Sequence, residues 1–147
     1  MAPPGTGIVN SAGYLVAAVV DLFDSDGKSI AVLDTTVNHL PEVLEYQFEP
    51  DLLDHADDGP HSYVLAGCSC LAGDVFGEYT FERPLAIGSR VTFANVGAYS
   101  LVKAHRFNGI ELPTLYVRNT DGELDLQPPF AYNDSLEHSR GSTHASL

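Results

Sequence analysis

The chain has 147 residues, 44% of them hydrophobic, with no tryptophan and a formal net charge of −13. That length suits one domain burying about two thirds of its unfolded surface, and 20 acidic residues against 7 basic ones repel phosphate backbones and anionic lipids, so nucleic acid and membrane surfaces are not expected partners. No apolar run approaches the roughly 20 residues of a bilayer span, and no basic residue precedes the first apolar segment as a secretory signal requires, so the expected location is the cytoplasm.

Residues 7–22 are apolar and rich in β-branched side chains, which favours a long strand over a helix. Asp26-Gly27 is a hairpin turn signal, so residues 29–33 are expected to return antiparallel and residues 7–34 to form a strand pair. Residues 34–46 combine a polar loop with one short helical turn begun near Pro41. The acid-rich stretch 51–60, with Gly59-Pro60, predicts an exposed loop, and residues 62–69 a core strand. Short β-type runs follow at 79–81, 90–95 and 112–118, and Asp121-Gly122 turns the chain into a last strand at 124–126. Many short strands with almost no helical periodicity predict an all-β fold, an antiparallel β-barrel or sandwich over residues 1–131. The small, polar residues 132–147 are expected to be a disordered tail.

The segment Gly67-Cys68-Ser69-Cys70-Leu71-Ala72-Gly73-Asp74-Val75-Phe76-Gly77 places a thiol and a carboxylate four residues apart, directly after a β-type run and among glycines that allow tight turns. Taken alone, Cys70 and Asp74 read more readily as a packed cysteine beside a turn aspartate than as a reactive pair. Cys68 and Cys70 are two apart and would share one face of a strand, where so short a loop strains a disulfide, so free thiols are expected. The six histidines show no metal-ligand spacing with these cysteines, and no metal site is expected.

Several segments together change that balance. Residues 69–77 (Ser-Cys-Leu-Ala-Gly-Asp-Val-Phe-Gly), 81–88 (Phe-Glu-Arg-Pro-Leu-Ala-Ile-Gly), Gly97-Ala98-Tyr99, Val102-Lys103, Phe107-Asn108-Gly109 and Leu112-Pro113 occur in order. Together they resemble the C-terminal β-domain of the fold-type III, pyridoxal-phosphate-dependent decarboxylases, the ornithine, arginine and diaminopimelate group. Leu33-Asp34-Thr35 and Pro41-Glu42-Val43-Leu44-Glu45 bring the likeness nearest to the carboxynorspermidine branch. The resemblance covers roughly residues 3–118.

The resemblance implies an enzyme of two domains, a TIM barrel carrying the cofactor on a lysine and a β-domain, of which only the second matches here. A TIM barrel takes about 250 residues. Carried over, Cys70 is the catalytic acid that returns a proton to the substrate carbon, Tyr99 donates a hydroxyl hydrogen bond to the cofactor phosphate, and Phe107 lines the substrate cavity. Asn108 and Gly109 fix the turn beside it, and Asp74 is a structural acid near the domain and subunit contact. Lys28 lies in a turn and Lys103 matches a non-catalytic position.

Leu71 stands where the ornithine and diaminopimelate branches have an acid, which disfavours simple diamino acids as substrates. Pro3 and Thr6 stand where the family has the glutamate and arginine that hold the cofactor's pyridine nitrogen and phosphate. The expectation is a separately encoded β-subunit that donates Cys70 in trans to a TIM-barrel partner chain, sharing pyridoxal phosphate with it. The alternative is a non-catalytic docking or regulatory module that binds a complete decarboxylase. Relatives complete the β-domain with a strand from before the barrel, so one sheet edge is expected to be unpaired or covered by a partner.

Overall fold

A computed structural model describes residues 9–97 and 99–128, in two compact units that divide after Glu111. Unit one is built on five strands: β1 (Leu15–Ser25), β2 (Lys28–Leu33), β3 (His61–Ala66), β4 (Val75–Phe81) and β5 (Arg90–Phe93). They form one sheet in the order β4-β3-β2-β1-β5. Two short helices, α1 (Glu42–Tyr46) and α2 (Ser100–Lys103), and 3-10 turns at Asn10–Ala12, Val37–His39 and Phe107–Gly109 sit in its connections.

Alternation decides which face is buried. In β1, Leu15, Ala17 and Val19 point inward and Val16 and Val20 outward, the two-residue period of a strand with one face covered. In β4, Phe76, Tyr79 and Phe81 are all buried although Phe76 and Tyr79 are three apart. The register against β3 slips there: Leu65 faces Gly77 while Ala66 faces Val75. This bulge absorbs one residue and returns both aromatics to the same face. Phe76 then stacks on Phe93 of β5, centroids 4.7 Å apart, so the two ends of the sheet order meet in the core.

The predicted hairpin is present, with Ser25 facing Lys28 and the pairing running antiparallel to Val19 and Leu33. The expectation of a wholly antiparallel sheet is corrected at one pair: β2 and β3 run parallel, with Ala31 opposite Leu65. Parallel neighbours need a crossover of a dozen or more residues, and the long connection between Leu33 and His61 provides it. That connection is also more buried than its composition suggests, since Thr35, Thr36, Asn38 and His39 all lie inside.

The acidic loop is exposed at its aspartates, as expected, yet it serves as a strap. The Leu53 amide donates to the Thr92 carbonyl (2.9 Å), the Ala94 amide to Asp51 (2.8 Å) and the Ala56 amide to Thr80 (2.9 Å), and Leu52 is buried opposite Phe93. Residues 51–56 therefore bond to β5 at one edge of the curled sheet and to β4 at the other. Each edge strand thus receives a backbone bond from the strap.

Unit two contains a hairpin of β6 (Tyr116–Arg118) and β7 (Leu124–Leu126), with Val117 opposite Asp125. The Asn119–Gly122 turn closes as its sequence predicts, the Gly122 amide donating to the Asn119 carbonyl (3.0 Å). The predicted tail at 132–147, like Pro3 and Thr6, lies outside the described residues. Among those described, no helix is long and apolar enough to cross a membrane.

The strap is anchored by Tyr79, whose buried hydroxyl donates to the Pro50 carbonyl at 2.7 Å. Tyr79→Phe keeps the ring and removes only that bond. Urea unfolding followed by circular dichroism should show a loss of about 1 kcal/mol; an unchanged midpoint would mean that the strap does not need this anchor.

Candidate functional site

Cys70 lies in the loop between β3 and β4 and is exposed. The loop is fixed from beneath by Asp74, which is 6% exposed. One carboxylate oxygen accepts from the Val37 amide (2.8 Å), and the other from the Ser69 amide (3.0 Å) and the Ser69 hydroxyl. The Leu71 amide in turn donates to the Ser69 hydroxyl (3.2 Å). Three donors on one buried carboxylate compensate its desolvation. Gly67 makes room for it: a Cβ at that position would stand 2.2 Å from an Asp74 oxygen. The Gly67 amide donates to the Asp74 carbonyl and the Cys68 amide to the Thr35 carbonyl, each at 2.8 Å. Asp74 thus joins the Cys70 loop to the segment of Val37 from within the protein.

Cys68 and Cys70 are both free and exposed. Partial desolvation of its sulfur, with the nearby Asp74 and Asp34 carboxylates, pushes the Cys68 thiol above its ordinary range, which makes it a poor source of thiolate. Among the described residues no cluster of three or more His, Cys, Asp or Glu side chains is placed to hold a metal ion.

Tyr99 precedes α2 and is 47% exposed. Its ring helps line a cleft of about 300 Å³, whose wall includes Glu42, Tyr46, Phe48, Asp51 and Asn95. Cys70, Asp74 and Phe107 do not line that cleft. Phe107 is exposed in its 3-10 turn, edge-on to His105 with centroids 6.4 Å apart. Asn108 and Gly109 follow with φ of 62° and 75°, the left-handed backbone that Asn and Gly tolerate best, so they do shape this turn.

Residues 35–39 connect the two regions, and the sequence reading missed them as a polar loop. Thr36 is fully buried, accepts from the Asn38 amide and points its hydroxyl at Ser69 (3.3 Å). On the other side, the Asn38 carbonyl accepts the His105 amide at 3.2 Å. One buried segment thus bonds both to the Cys70 loop and to the stretch running from Tyr99 to Phe107. The spacing of Val37, Leu40 and Val43, all buried, was the available signal that this connection packs inward.

The cleft's donor set does not by itself fit pyridoxal phosphate. Tyr99 suits a phosphate as a neutral donor, but Glu42 and Asp51 would repel a dianion, and among the described residues no basic side chain lines the wall. Lys103 contacts Glu45 and sits over the Tyr46 ring, 5.5 Å from its centroid, while Lys28 pairs with Glu78.

Residues 7–97 match the family described as pyridoxal-dependent decarboxylase, C-terminal sheet domain. The chain is 36% identical to the carboxynorspermidine/carboxyspermidine decarboxylase of Herminiimonas arsenicoxydans over 89% of its length and 35% of that protein. It is 35% identical to the carboxyaminopropylagmatine decarboxylase of Synechocystis, again over 89% of its length and 35% of that protein. The crystal structure of Campylobacter jejuni carboxynorspermidine decarboxylase complexed with norspermidine superposes with a TM-score of 0.78 at 35% identity, covering 86% of this chain and 38% of that one. The chain thus spans little more than a third of the length of these relatives.

His39 gives the hub a pH dependence. The ring is buried, its Nδ1 2.8 Å from the Thr35 hydroxyl. Burial pushes its pKa below the ordinary 6.5, against the Glu111 carbonyl and Asp74, while His105 adds to the lowering. Below pH 6.5 the unfolded chain therefore binds more protons than the folded one, so stability is complete above that pH and declines as pH falls toward the folded value. Thermal unfolding against pH should show this decline, reduced in His39→Gln; equal slopes in the two proteins would contradict it.

Proposed function

The chain belongs to the pyridoxal-dependent decarboxylases through their C-terminal sheet domain, and on that premise we propose that it forms the β-domain side of a decarboxylase active site for an amino acid with a polyamine-like side chain. In this reading Cys70 is the acid, and a partner chain bearing a TIM barrel holds the cofactor. The observation that carries the proposal is an exposed thiol on a loop that Asp74 locks in place. Such a thiol is presented outward, toward a substrate held by another polypeptide, on a loop whose backbone is hydrogen-bonded to the buried Asp74.

The substrate class is supported by the names of the relatives and by Leu71, which offers no carboxylate to the distal amine of a simple diamino acid. Pyridoxal phosphate supplies the electron sink that makes loss of carbon dioxide feasible. The tasks of this chain are narrower. The Cys70 thiol returns a proton to the carbon that loses the carboxylate. Tyr99 adds one neutral donor for the cofactor phosphate, and Phe107 covers an apolar part of the substrate. Asp74 acts from beneath the surface, holding the Cys70 loop in the shape the subunit contact requires.

The test is made on the complex with the barrel chain. Cys70→Ser should leave assembly intact and lower the decarboxylation rate on the order of a hundredfold, because a hydroxyl is a far weaker acid than a thiol. Cys68→Ser, at the other thiol of the same loop, should stay within about twofold of the unsubstituted protein. Equal rates for the two variants would remove Cys70 as the acid and favour a docking module.

A further inference from the structure

Among the described residues no hydrogen bond engages Cys70 itself, so the placement of its thiol depends on the two neighbouring residues. Both are partly buried where Cys70 is exposed. The Leu71 side chain packs against the core, and its carbonyl accepts the Asp74 amide at 3.1 Å. The Ser69 amide donates to the Asp74 carboxylate at 3.0 Å. The Ser69 hydroxyl links these two anchors. It donates to the same Asp74 oxygen, and it accepts the Leu71 amide at 3.2 Å and the hydroxyl of the fully buried Thr36 at 3.3 Å. Its one O–H and both of its lone pairs are therefore in use. A serine oxygen that accepts the amide two residues ahead closes a turn around the residue between, and here that residue is Cys70.

We infer that Ser69 is the positioning residue of Cys70: its hydroxyl closes the turn that carries the thiol and ties that turn to the buried Asp74 carboxylate. The carboxylate cannot do this alone. Its donors are the Val37 amide and the amide and hydroxyl of Ser69, so nothing it holds directly lies beyond residue 69 on the Cys70 side. Without the hydroxyl, the Leu71 amide and the Thr36 hydroxyl lose their acceptor, and the peptide between Cys70 and Leu71 is free to rotate. A proton donor has to come within about 3 Å of the atom it serves, and a displacement of about 1 Å at a reacting group costs on the order of a hundredfold in rate. The inference rests on the reading of Cys70 as the acid and adds to it the side chain that aims the thiol.

Two measurements on Ser69→Ala and Ser69→Thr test it. In the chain alone, hydrogen exchange at the Leu71 amide should be about tenfold faster in Ser69→Ala and close to the unsubstituted rate in Ser69→Thr, which keeps a hydroxyl. In the complex with the barrel chain, Ser69→Ala should lower kcat on the order of tenfold with KM unchanged, and Ser69→Thr should recover most of that loss. Tyr79→Phe, which removes a buried bond from the strap and none from the loop, is the control for lost stability and should keep its kcat. Unchanged Leu71 exchange in Ser69→Ala, or an equal fall of kcat in Ser69→Ala and Tyr79→Phe, would overturn the proposal. Full kcat in Ser69→Ala beside a slow Cys70→Ser would also overturn it, while leaving Cys70 as the acid. Full activity in Cys70→Ser would instead remove the decarboxylase reading and this proposal with it, so the two failures are distinguishable.

Discussion

The capture of the Asp74 carboxylate by Val37 and Ser69 is the contact on which the presentation of the site depends. A carboxylate at 6% exposure is tolerable only where donors replace its water, and here the donors come from two separate parts of the chain. Ser69 belongs to the Cys70 loop itself, and Val37 to the crossover between β2 and β3. The same three bonds therefore shape the loop and attach it to the body of the domain. An apolar side chain at position 74 would leave the buried Val37 amide and the part-buried Ser69 amide without their acceptor, and a side chain at position 67 would collide with the acid.

The parallel β2–β3 pair explains why so polar a segment is buried. An antiparallel return could have used a tight turn; a parallel one obliges the chain to cross over, and residues 34–60 make that connection. Thr35, Thr36, Asn38 and His39 go inside because their carbonyls and hydroxyls find partners there: the Cys68 amide, the Ser69 hydroxyl, the His105 amide and one another. Further along the same connection, α1 contributes Glu42 and Tyr46 to the cleft beside Tyr99, and the strap that follows bonds to β5 and β4. One crossover thus positions the Cys70 loop, builds part of the cleft and joins the sheet edges.

Much of this was legible in the sequence where local chemistry decides the outcome. Asp26-Gly27 announced the first hairpin and Asp121-Gly122 the last, and the Ser-Cys-Leu-Ala-Gly-Asp run pointed to the family. What escaped was decided by pairing across the chain. No property of residues 28–33 or 61–66 states that they lie parallel, and no local pattern distinguishes a polar loop in water from Thr35 to His39 bonded in the interior. The bulge that brings Phe76 and Tyr79 to one face is likewise set by the register against β3. The cleft was invisible for the same reason, since Glu42, Asp51 and Tyr99 come from separate segments that only the fold brings to one wall.

The central claim is that the segment Thr35–His39 ties the Cys70 loop and the stretch around His105 into one cooperative unit. Native-state hydrogen exchange tests it directly, through the amides of Val37, Cys68 and His105, which bond to Asp74, Thr35 and Asn38 respectively. Cooperative structure predicts that all three exchange with a common opening free energy close to that of the core amides of β1 and β2. If the Cys68 and His105 amides exchange orders of magnitude faster than Val37, as fraying surface loops do, the two regions are not held by a common hub and the account fails.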